Sequence, residues 1–508
     1  MRDTLRPHDP HPHDPQGRRT QDSSSSGPHT ETTPSSPGQH TETSPGPHTQ
    51  TSSGPRTETT SGPSSEGRRA RGSRARRPLG RVRTAAGTVA GVLAIAVAVT
   101  AGASLFPGGE PQAAPVLTTA ALPGAGIYGP AGGPGSVKAL QDRLRRLPKD
   151  HQAWAALGAA YVQQARITAD PTYYTKAEQA LDRAARLAPG DFAVLTGQAA
   201  LAAGRHEFAD AVRLARRAAE ANPYGPAAYG VLADAHTQLG DYPEASEAVR
   251  RMMDLRPGVS SFTRASYDAE LHGDTAKARE LMEAALADAF TPEDAAYCRY
   301  YLGELALRAG DLATAGRMYR EALRTSPGFL PALAGQARAA ALSGDLERAA
   351  TGYAAVVGRV PLAQYVTEYG EVLEKLGRDP SAQWALLRAQ KDLMAASGVR
   401  DDITWAEFEA DHGSPAAAVR HAEAEYARNP NVVAADALAW ALHKAGRSRE
   451  ALPYTKKATA LGWRNALSAH HRAVIEKASG RDANLFSSLT TEYNPEFDPT
   501  LPSLARFT

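Results

Sequence analysis

From residue 150 onward, small and apolar residues recur at fixed distances in front of regularly placed prolines. Pro189, Pro223 and Pro257 are each 34 residues apart, and Pro327 and Pro361 are separated by the same distance. The small and apolar positions of each unit fall into two helical stretches that are joined by a turn containing glycine. A 34-residue period predicts a helical hairpin repeated along a solenoid, because one hairpin buries its apolar face only against the next.

The unit that ends at Pro327 shows these positions most completely. We expect Gly303 to lie where the two helices cross, since a small side chain there lets the backbones approach. Gly310 tolerates the left-handed conformation that closes a helix, and Pro327 lacks the N–H needed to continue one. The full set is Leu302, Gly303 and Ala306 in the first helix, Gly310 in the turn, Ala315, Tyr319 and Ala322 in the second helix, and Pro327.

This set resembles the tetratricopeptide repeat family, whose units carry Leu, Gly, Ala, an aromatic residue and Pro at these spacings. The resemblance covers roughly residues 150 to 495 in about nine to ten units, and a helix opened by Ser136 as N-cap is expected to seal the first unit. It implies an all-α tetratricopeptide solenoid over residues 136–495, followed by a C-terminal tail over residues 496–508. Three units depart from the pattern: the first has about seven inserted residues around Thr168 to Tyr174, the second has Gly204 two positions early, and the tenth, around Gly480, degenerates before Pro495.

The N-terminal quarter has a different composition. Residues 1–67 are rich in Ser, Thr, Pro, Gly and His and contain hardly an aliphatic residue. Such a segment cannot bury enough apolar area to offset the entropy lost on ordering, so it predicts a disordered tail. The tail repeats a short motif, as in Gly27-Pro-His-Thr-Glu-Thr, which we interpret as an expanded linker or, alternatively, as a phosphorylation or docking tract.

Two adjoining segments predict a membrane anchor. Residues 68–83 contain eight arginines and no acid, and residues 84–106 form a stretch of 23 without charge. At about 1.5 Å per residue, this stretch is long enough to cross a bilayer core of about 30 Å. The arginines favour a cytoplasmic N-terminus, with the solenoid held outside the membrane by a Pro/Gly/Ala-rich stalk over residues 107–135. The alternative is a secretory signal that is cleaved near Ala103, which leaves a secreted solenoid.

Charge argues against a nucleic-acid partner. The first 83 residues carry 13 basic and 8 acidic side chains, and the remainder carries 44 and 47, whereas nucleic-acid binding requires a basic face. The arginine cluster beside the predicted span is typical of a topology and lipid-headgroup signal. The excess of Arg over Lys and the abundance of Ala are typical of a GC-rich bacterium of actinobacterial type.

No motif indicates catalysis. The GxGxxG match at residues 124–129 is preceded by Pro123 and followed by Pro130, whereas dinucleotide binding requires a strand before the glycines and a helix after them. His8, His11 and His13 could bind a soft divalent metal weakly, but only by ordering the tail. The single cysteine, Cys298, excludes an internal disulfide. We therefore predict that the protein is not an enzyme and has no cofactor or metal.

The family resemblance implies that the first helices of successive hairpins line a concave groove that binds peptides or partner proteins. Tyr297, Tyr300, Glu304 and Arg308 share one helix face, and tyrosine and arginine dominate the energetics of many interfaces. The alternative is that these tyrosines pack between repeats. The groove candidates are Tyr267, Tyr297, Tyr300, Glu304, Arg308, Arg338 and Trp440.

These observations predict a non-catalytic protein-interaction scaffold, presented on the outer side of the cytoplasmic membrane by its solenoid. The alternative is a transmembrane sensor that couples binding outside the membrane to a phosphorylatable cytoplasmic tail. In both hypotheses the partner is an unidentified protein or peptide in the concave groove.

Overall fold

The structure is a series of ten helical hairpins. The computed structural model describes residues 136–506, which form 22 α-helices and no β-strand. Helix α1 (Val137–Arg146) precedes the hairpins. The first helices of the hairpins are α2 (His151–Thr168), α4 (Phe192–Gly204), α6 (Pro226–Leu239), α8 (Val259–Leu271), α10 (Pro292–Arg308), α12 (Leu330–Leu342), α14 (Ala363–Lys375), α16 (Asp402–His412), α18 (Val432–Lys444) and α20 (Ala466–Ala478). The second helices are α3 (Thr172–Leu187), α5 (Phe208–Ala221), α7 (Tyr242–Leu255), α9 (Thr275–Ala287), α11 (Leu312–Thr325), α13 (Leu346–Val357), α15 (Ser381–Ala396), α17 (Pro415–Arg428), α19 (Ser448–Ala458) and α21 (Asn484–Tyr493), and the short α22 (Ser503–Arg506) follows. The predicted all-helical fold with repeated hairpins is confirmed.

Several predicted segments lie outside the described residues. They are the tail over residues 1–67, the arginine-rich segment over 68–83, the transmembrane helix over 84–106 and the stalk over 107–135. Among the helices of residues 136–506, none combines the length and the apolar character that a membrane span requires.

Helix α1 seals the first hairpin, as the sequence predicts. Ser136 is its N-cap, and the backbone N–H of Ala139 donates to the Ser136 hydroxyl at 3.3 Å. Leu140 and Leu144 are buried against the first hairpin, and Gln141 donates to the hydroxyl of Tyr161 at 2.8 Å. The apolar side of α1 thus covers the N-terminal side of the first described hairpin.

The fifth hairpin shows why its small residues are needed. Tyr319 of α11 is fully buried, and a Cβ atom built on Gly303 of α10 would lie 2.5 Å from its ring. A Cβ atom on Gly335, in the first helix of the next hairpin, would lie 2.6 Å from the same ring. One tyrosine therefore fills the space left by two glycines of consecutive hairpins.

The first two hairpins accommodate their irregular sequences locally. The inserted residues of the first hairpin lengthen α2 to 18 residues and α3 to 16, and Ala169 adopts the left-handed conformation between them. In the second hairpin, Gly204 is the last residue of α4, and His206 takes the positive φ of the turn instead. The early glycine therefore changes the turn and leaves the hairpin intact.

The series of hairpins winds back onto itself, so that distant hairpins meet. The N–H of Arg400, between the seventh and eighth hairpins, donates to the carbonyl of Arg205 in the turn of the second hairpin at 3.2 Å. The side chain of Asn431, between the eighth and ninth hairpins, donates to the carbonyl of Gln238 in the third at 2.7 Å. Each turn of the superhelix therefore rests on the edge of the previous turn after five to six hairpins.

Glycines in the hairpin turns allow these contacts. A Cβ atom on Gly240 would lie 2.8 Å from the carbonyl oxygen of Pro430, and one on Gly273 would lie 2.5 Å from that of Gly462. Both glycines also have positive φ angles, of 77° and 80°. These two positions thus require glycine for the conformation of the turn and for the close approach of another backbone.

Candidate functional site

The first helices of the hairpins share one face, which we call the inner face. The four-residue helix α22 packs on both α14 and α20, and its Arg506 also reaches α16. So short an element can touch the first helices of three hairpins only if those helices face a common space. The inner face is therefore the candidate for partner binding.

Ion pairs between consecutive first helices run along the inner face. Arg264 of α8 is paired with Asp234 of α6 at 2.7 and 2.9 Å, and Arg308 of α10 is paired with Glu270 of α8. Burial raises the pKa of Asp234 to about 6, because the Arg264 guanidinium offsets only part of the loss of solvent. These pairs tie neighbouring hairpins together.

The most enclosed pair involves two of the predicted groove residues. The Arg338 guanidinium is completely buried between Glu304 and Glu368, with contacts of 2.8 and 2.9 Å to Glu304 and 2.8 Å to Glu368. The hydroxyl of Tyr319 donates to Glu304 at 2.7 Å. Burial raises the pKa of Glu368, and the positive charge of Arg338 opposes this effect. Glu304 and Arg338 thus bind each other in the described structure.

The other predicted groove residues divide into buried and half-buried positions. Tyr297 and Tyr300 are buried, and the Tyr300 ring lies 5.1 Å from that of Tyr301 and 6.0 Å from that of Phe329. Tyr267 and Trp440 are half-buried, and the Trp440 indole N–H donates to Asp411 at 2.8 Å. In this conformation the tyrosines Tyr297 and Tyr300 pack within the solenoid, which is the alternative that the sequence left open. A partner-binding role for the predicted set stays a prediction.

Residues 494–506 run from the turn of the fifth hairpin, where a Cβ atom on Gly310 would lie 2.6 Å from Pro495, onto the inner face. Asn494 donates to the carbonyl of Leu307 in α10 at 3.4 Å, and Lys375 of α14 contacts Asp498 and donates to the Thr500 hydroxyl at 2.7 Å. Residues 494–502 form no helix and cross from the fifth hairpin to the seventh. We call residues 494–506 the C-terminal segment.

Two leucines anchor the C-terminal segment. Leu501 and Leu504 are each about 1% exposed and pack against the alanine-rich surface of α12, together with Tyr353 and Val372. Burying a leucine side chain contributes about 1.5 to 3 kcal/mol. The two leucines therefore supply a large part of the apolar contact.

A buried carboxylate accepts hydrogen bonds from the middle of the segment. Glu371 of α14 accepts from the backbone N–H of Ser503 at 2.9 Å and from its hydroxyl at 2.7 Å. The ring of His412 lies between Glu371, at 3.0 Å, and Glu374, at 3.3 Å. Burial opposes the charge on His412, but the hydrogen bond to Glu371 and both carboxylates outweigh it, so the pKa of His412 is raised.

An arginine completes the contact. Arg506 has a side chain only 4% exposed, which contacts Asp411 of α16 and lies 3.8 Å from Glu407. Burial opposes ionisation of Asp411, but Arg506 and the hydrogen bond from Trp440 outweigh it and lower the pKa of Asp411 to about 2. Burial raises the pKa of Glu407 to about 7, because Arg506 compensates it only in part. Arg506 is thus the counter-ion of an acidic pocket.

Sequence reasoning did not find this contact. It assigned residues 496–508 to a C-terminal tail and included neither Glu407 nor Asp411 among the groove candidates. The available signal was the leucine pair of Leu501 and Leu504 followed by Arg506 in a short stretch that also contains three prolines. That signal is weak, because so short a pattern has no fixed conformation of its own.

The described residues show little that could carry out chemistry. Among them, no group of three or more His, Cys, Asp or Glu side chains is arranged to hold a metal ion. Cys298 is buried, and burial raises the pKa of its thiol to about 12, which keeps the sulfur protonated.

Comparison with known proteins points to one family. Residues 200–261 and residues 265–328 each match the tetratricopeptide repeat. No curated protein matches the sequence significantly.

Three solved structures illustrate the range of identity and coverage among proteins similar to this chain. TTC0263, a thermophilic TPR protein of Thermus thermophilus, is 23% identical over 37% of this chain and 98% of its own, with a TM-score of 0.33. PilW, a widely conserved type IV pilus biogenesis factor, is 18% identical over 40% of this chain and 91% of its own, with a TM-score of 0.33. The human IFIT1 dimer with m7Gppp-AAAA is 12% identical over 70% of this chain and 85% of its own, with a TM-score of 0.40. The matches over residues 200–328 and the hairpin repeats support the tetratricopeptide repeat family for this chain.

Proposed function

We propose that this protein is a non-catalytic scaffold whose inner face binds a polypeptide segment of a partner protein. Tetratricopeptide repeat domains bind protein partners and are generally non-catalytic, and two such matches cover residues 200–328. The observation that carries the proposal is the C-terminal segment on the inner face. Because this segment is held as a peptide would be, the inner face has the shape and chemistry to hold a peptide.

The contacts of the C-terminal segment support a polypeptide rather than a nucleic acid as the partner. They comprise an apolar site for Leu501 and Leu504, a carboxylate that accepts a backbone N–H, and an acidic pocket for Arg506. A phosphate backbone would be repelled by Glu371, Glu407 and Asp411. A segment with a leucine pair and an arginine satisfies all three sites.

Site-specific photo-crosslinking tests this function. A photoreactive amino acid replaces Tyr267, which is half-buried on the inner face, or Arg320, which is exposed on the second helix α11 and serves as the matched outer control. We expect crosslinks from position 267 that map by mass spectrometry to one short segment of one protein, and none from position 320. Crosslinks from position 320 alone would reject the inner face as the binding surface.

The location of the scaffold is part of the proposal. The arginine-rich residues 68–83 and the uncharged residues 84–106 support presentation of the solenoid on the outer side of the cytoplasmic membrane. Protease added to intact cells that lack the outer wall barrier should remove the solenoid and spare the N-terminal tail. A protected solenoid would contradict this topology, and a solenoid released into the medium with its N-terminus near Ala103 would support the secreted alternative.

The sensor alternative is tested separately. It requires phosphothreonine within residues 27–60 that appears or disappears when a ligand binds the solenoid. Mass spectrometry of the tail with and without the crosslinked partner distinguishes the sensor from a scaffold that transmits no signal.

A further inference from the structure

The inner face is occupied at hairpins six to eight by the protein's own chain. Three sites hold this chain: the leucine site against α12, the Glu371 carboxylate on α14 and the acidic pocket of Glu407 and Asp411 on α16. A partner segment that binds the inner face of hairpins six to eight must therefore replace the C-terminal segment.

The polar contacts of the C-terminal segment are separable from the contacts that hold the hairpins together. Consecutive hairpins are joined by helix packing and by pairs such as Arg338 with Glu304, none of which involves residues 494–506, whereas Asn494 and Pro495 contact the turn of the fifth hairpin. If the segment leaves, Glu371, Glu407 and Asp411 face the groove, where water and ions can solvate them. Release of the segment thus exposes a groove without dismantling the solenoid.

The acidic side chains of the exposed groove indicate which kind of partner segment can bind there. Glu371, Glu374, Glu407 and Asp411 lie together at this end of the inner face, and Arg506 supplies the guanidinium that fits the last two. Arginine binds carboxylates with paired, directed hydrogen bonds, which a neutral side chain cannot replace. An occupant without a cation at this position would leave buried carboxylates uncompensated.

We propose that the C-terminal segment is an internal ligand of the inner face and that the partner binds by displacing this segment. The partner is a polypeptide with two apolar residues three positions apart, followed by an arginine two positions after the second apolar residue. This inference rests on the proposed function and specifies its partner and its regulation. The segment then acts as a built-in competitor that lowers the apparent affinity for every weaker segment. Its effective concentration is in the millimolar range expected for a short tether.

Binding of a labelled synthetic peptide tests the competition. The probe has the sequence of residues 494–506, and the proteins are the full chain, its Arg506→Glu variant and a matched Arg449→Glu variant whose side chain is exposed on α19. We expect the Arg506→Glu variant to bind the probe at least about tenfold more tightly than the unaltered chain does, since the variant's own C-terminal segment no longer fits the acidic pocket. Arg449→Glu should bind like the unaltered chain. Equal affinities of all three proteins would overturn the proposal.

Peptide variants test the stated chemistry. Replacing the arginine of the probe by alanine, or both of its leucines by alanine, should weaken binding to the Arg506→Glu protein at least about tenfold. Replacing the probe's Glu496 by alanine should leave binding unchanged, because the Glu496 side chain is exposed in the described structure. If the altered probes bind as well as the original, the inner face does not select this pattern and the proposal is wrong.

Hydrogen exchange gives a readout that requires no variant of the protein. Excess unlabelled probe should speed amide exchange in residues 494–506 of the unaltered chain, including the N–H of Ser503, and leave the helices α6 to α12 unchanged. If amide exchange in residues 494–506 does not change at saturating probe, the proposed displacement of the C-terminal segment is wrong. This result does not depend on whether the Arg506→Glu variant folds. The two proposals fail separately: crosslinking from position 267 in the absence of peptide, together with unchanged exchange in residues 494–506 when the peptide is added, rejects this inference alone, whereas no crosslinking from position 267 even without the peptide rejects the proposed function.

Discussion

Arg338 donates two hydrogen bonds to Glu304, which stands 34 residues earlier at the same position of the preceding hairpin. The repeat period therefore brings together two groups that belong to equivalent positions of the inner face. Because the guanidinium has no exposed surface, these side chains hold consecutive hairpins together in the described conformation.

Removing Arg338 should destabilise the solenoid strongly. Arg338→Ala leaves Glu304 and Glu368 buried without a counter-ion, so we expect a loss of about 3 to 5 kcal/mol in the free energy of unfolding, measured by urea denaturation. The matched control is Arg250→Ala, which breaks an exposed pair with Glu247 and should change stability little. Equal effects of the two substitutions would show that Arg338 is accessible to solvent and free to bind a partner.

The glycine at the helix crossing should tolerate no side chain. Gly303→Ala places a methyl group against the buried ring of Tyr319, and overpacking of this kind costs about 1 to 3 kcal/mol. Gly316→Ala is the matched control, because an added methyl group at this helical glycine of α11 meets only the end of the flexible Arg320 side chain. This substitution should stabilise the protein by up to about 1 kcal/mol, since alanine has the higher helix propensity. Thermal denaturation followed by circular dichroism measures both. An unchanged melting temperature for Gly303→Ala would mean that the register of this hairpin is wrong.

Alanine substitutions at four turn glycines distinguish the stability cost of backbone strain from the stability cost of disturbing the contact between superhelical turns. Gly240 and Gly273 have positive φ and touch another backbone, whereas Gly377 and Gly446 have φ angles of 70° and 78° and nothing within 4 Å of an added Cβ. Alanine at any of the four costs about 1 kcal/mol through the left-handed conformation. Gly240→Ala and Gly273→Ala should lose about 1 to 3 kcal/mol more, because the carbonyls of Pro430 and Gly462 must move. Similar melting temperatures for all four variants would argue against contact between turns in solution.

Glu407 should make stability fall as pH rises toward neutrality. Burial holds its pKa at about 7 in the folded protein, above the ordinary value of 4.5, while Arg506 opposes this effect and Asp401, Asp411 and Asp436 reinforce it. Between these two pKa values the folded protein binds the Glu407 proton more tightly than the unfolded chain does. The contribution of Glu407 to the free energy of unfolding is therefore fully present below pH 4.5 and is lost as pH rises through 7. The expected slope is on the order of 1 kcal/mol per pH unit.

Glu407→Gln provides the control for this pH effect. The variant should lose that slope, so that the difference between the urea midpoints of the variant and the unaltered protein grows from about pH 5 to about pH 8. Asp411 does not interfere, because its pKa of about 2 places its own titration below this window. A difference that stays constant over this range would show that Glu407 is solvated, and hence that Arg506 and its segment do not cover it.

The sequence predicted the fold well and the binding site only in part. The hairpins around Gly303 and Gly310 could be predicted, because small residues at a helix crossing and a glycine in a turn are requirements within one hairpin. The role of Gly273 could not, since its neighbour Gly462 is far away in the chain and belongs to another hairpin. The same limit applies to Arg506, whose partners Glu407 and Asp411 lie about a hundred residues earlier.

The sequence by itself determined that the chain from Ser136 onward forms stacked helical hairpins, and that residues such as Glu304 and Arg338 share equivalent positions. It did so because a 34-residue register of small and apolar residues is a local pattern that every hairpin repeats. Only the tertiary structure decided that Arg338 meets Glu304 and Glu368, that turns five to six hairpins apart touch, and that the C-terminal segment lies on the inner face. These contacts depend on the small rotation between neighbouring hairpins, which accumulates along the solenoid and is not encoded at any single position.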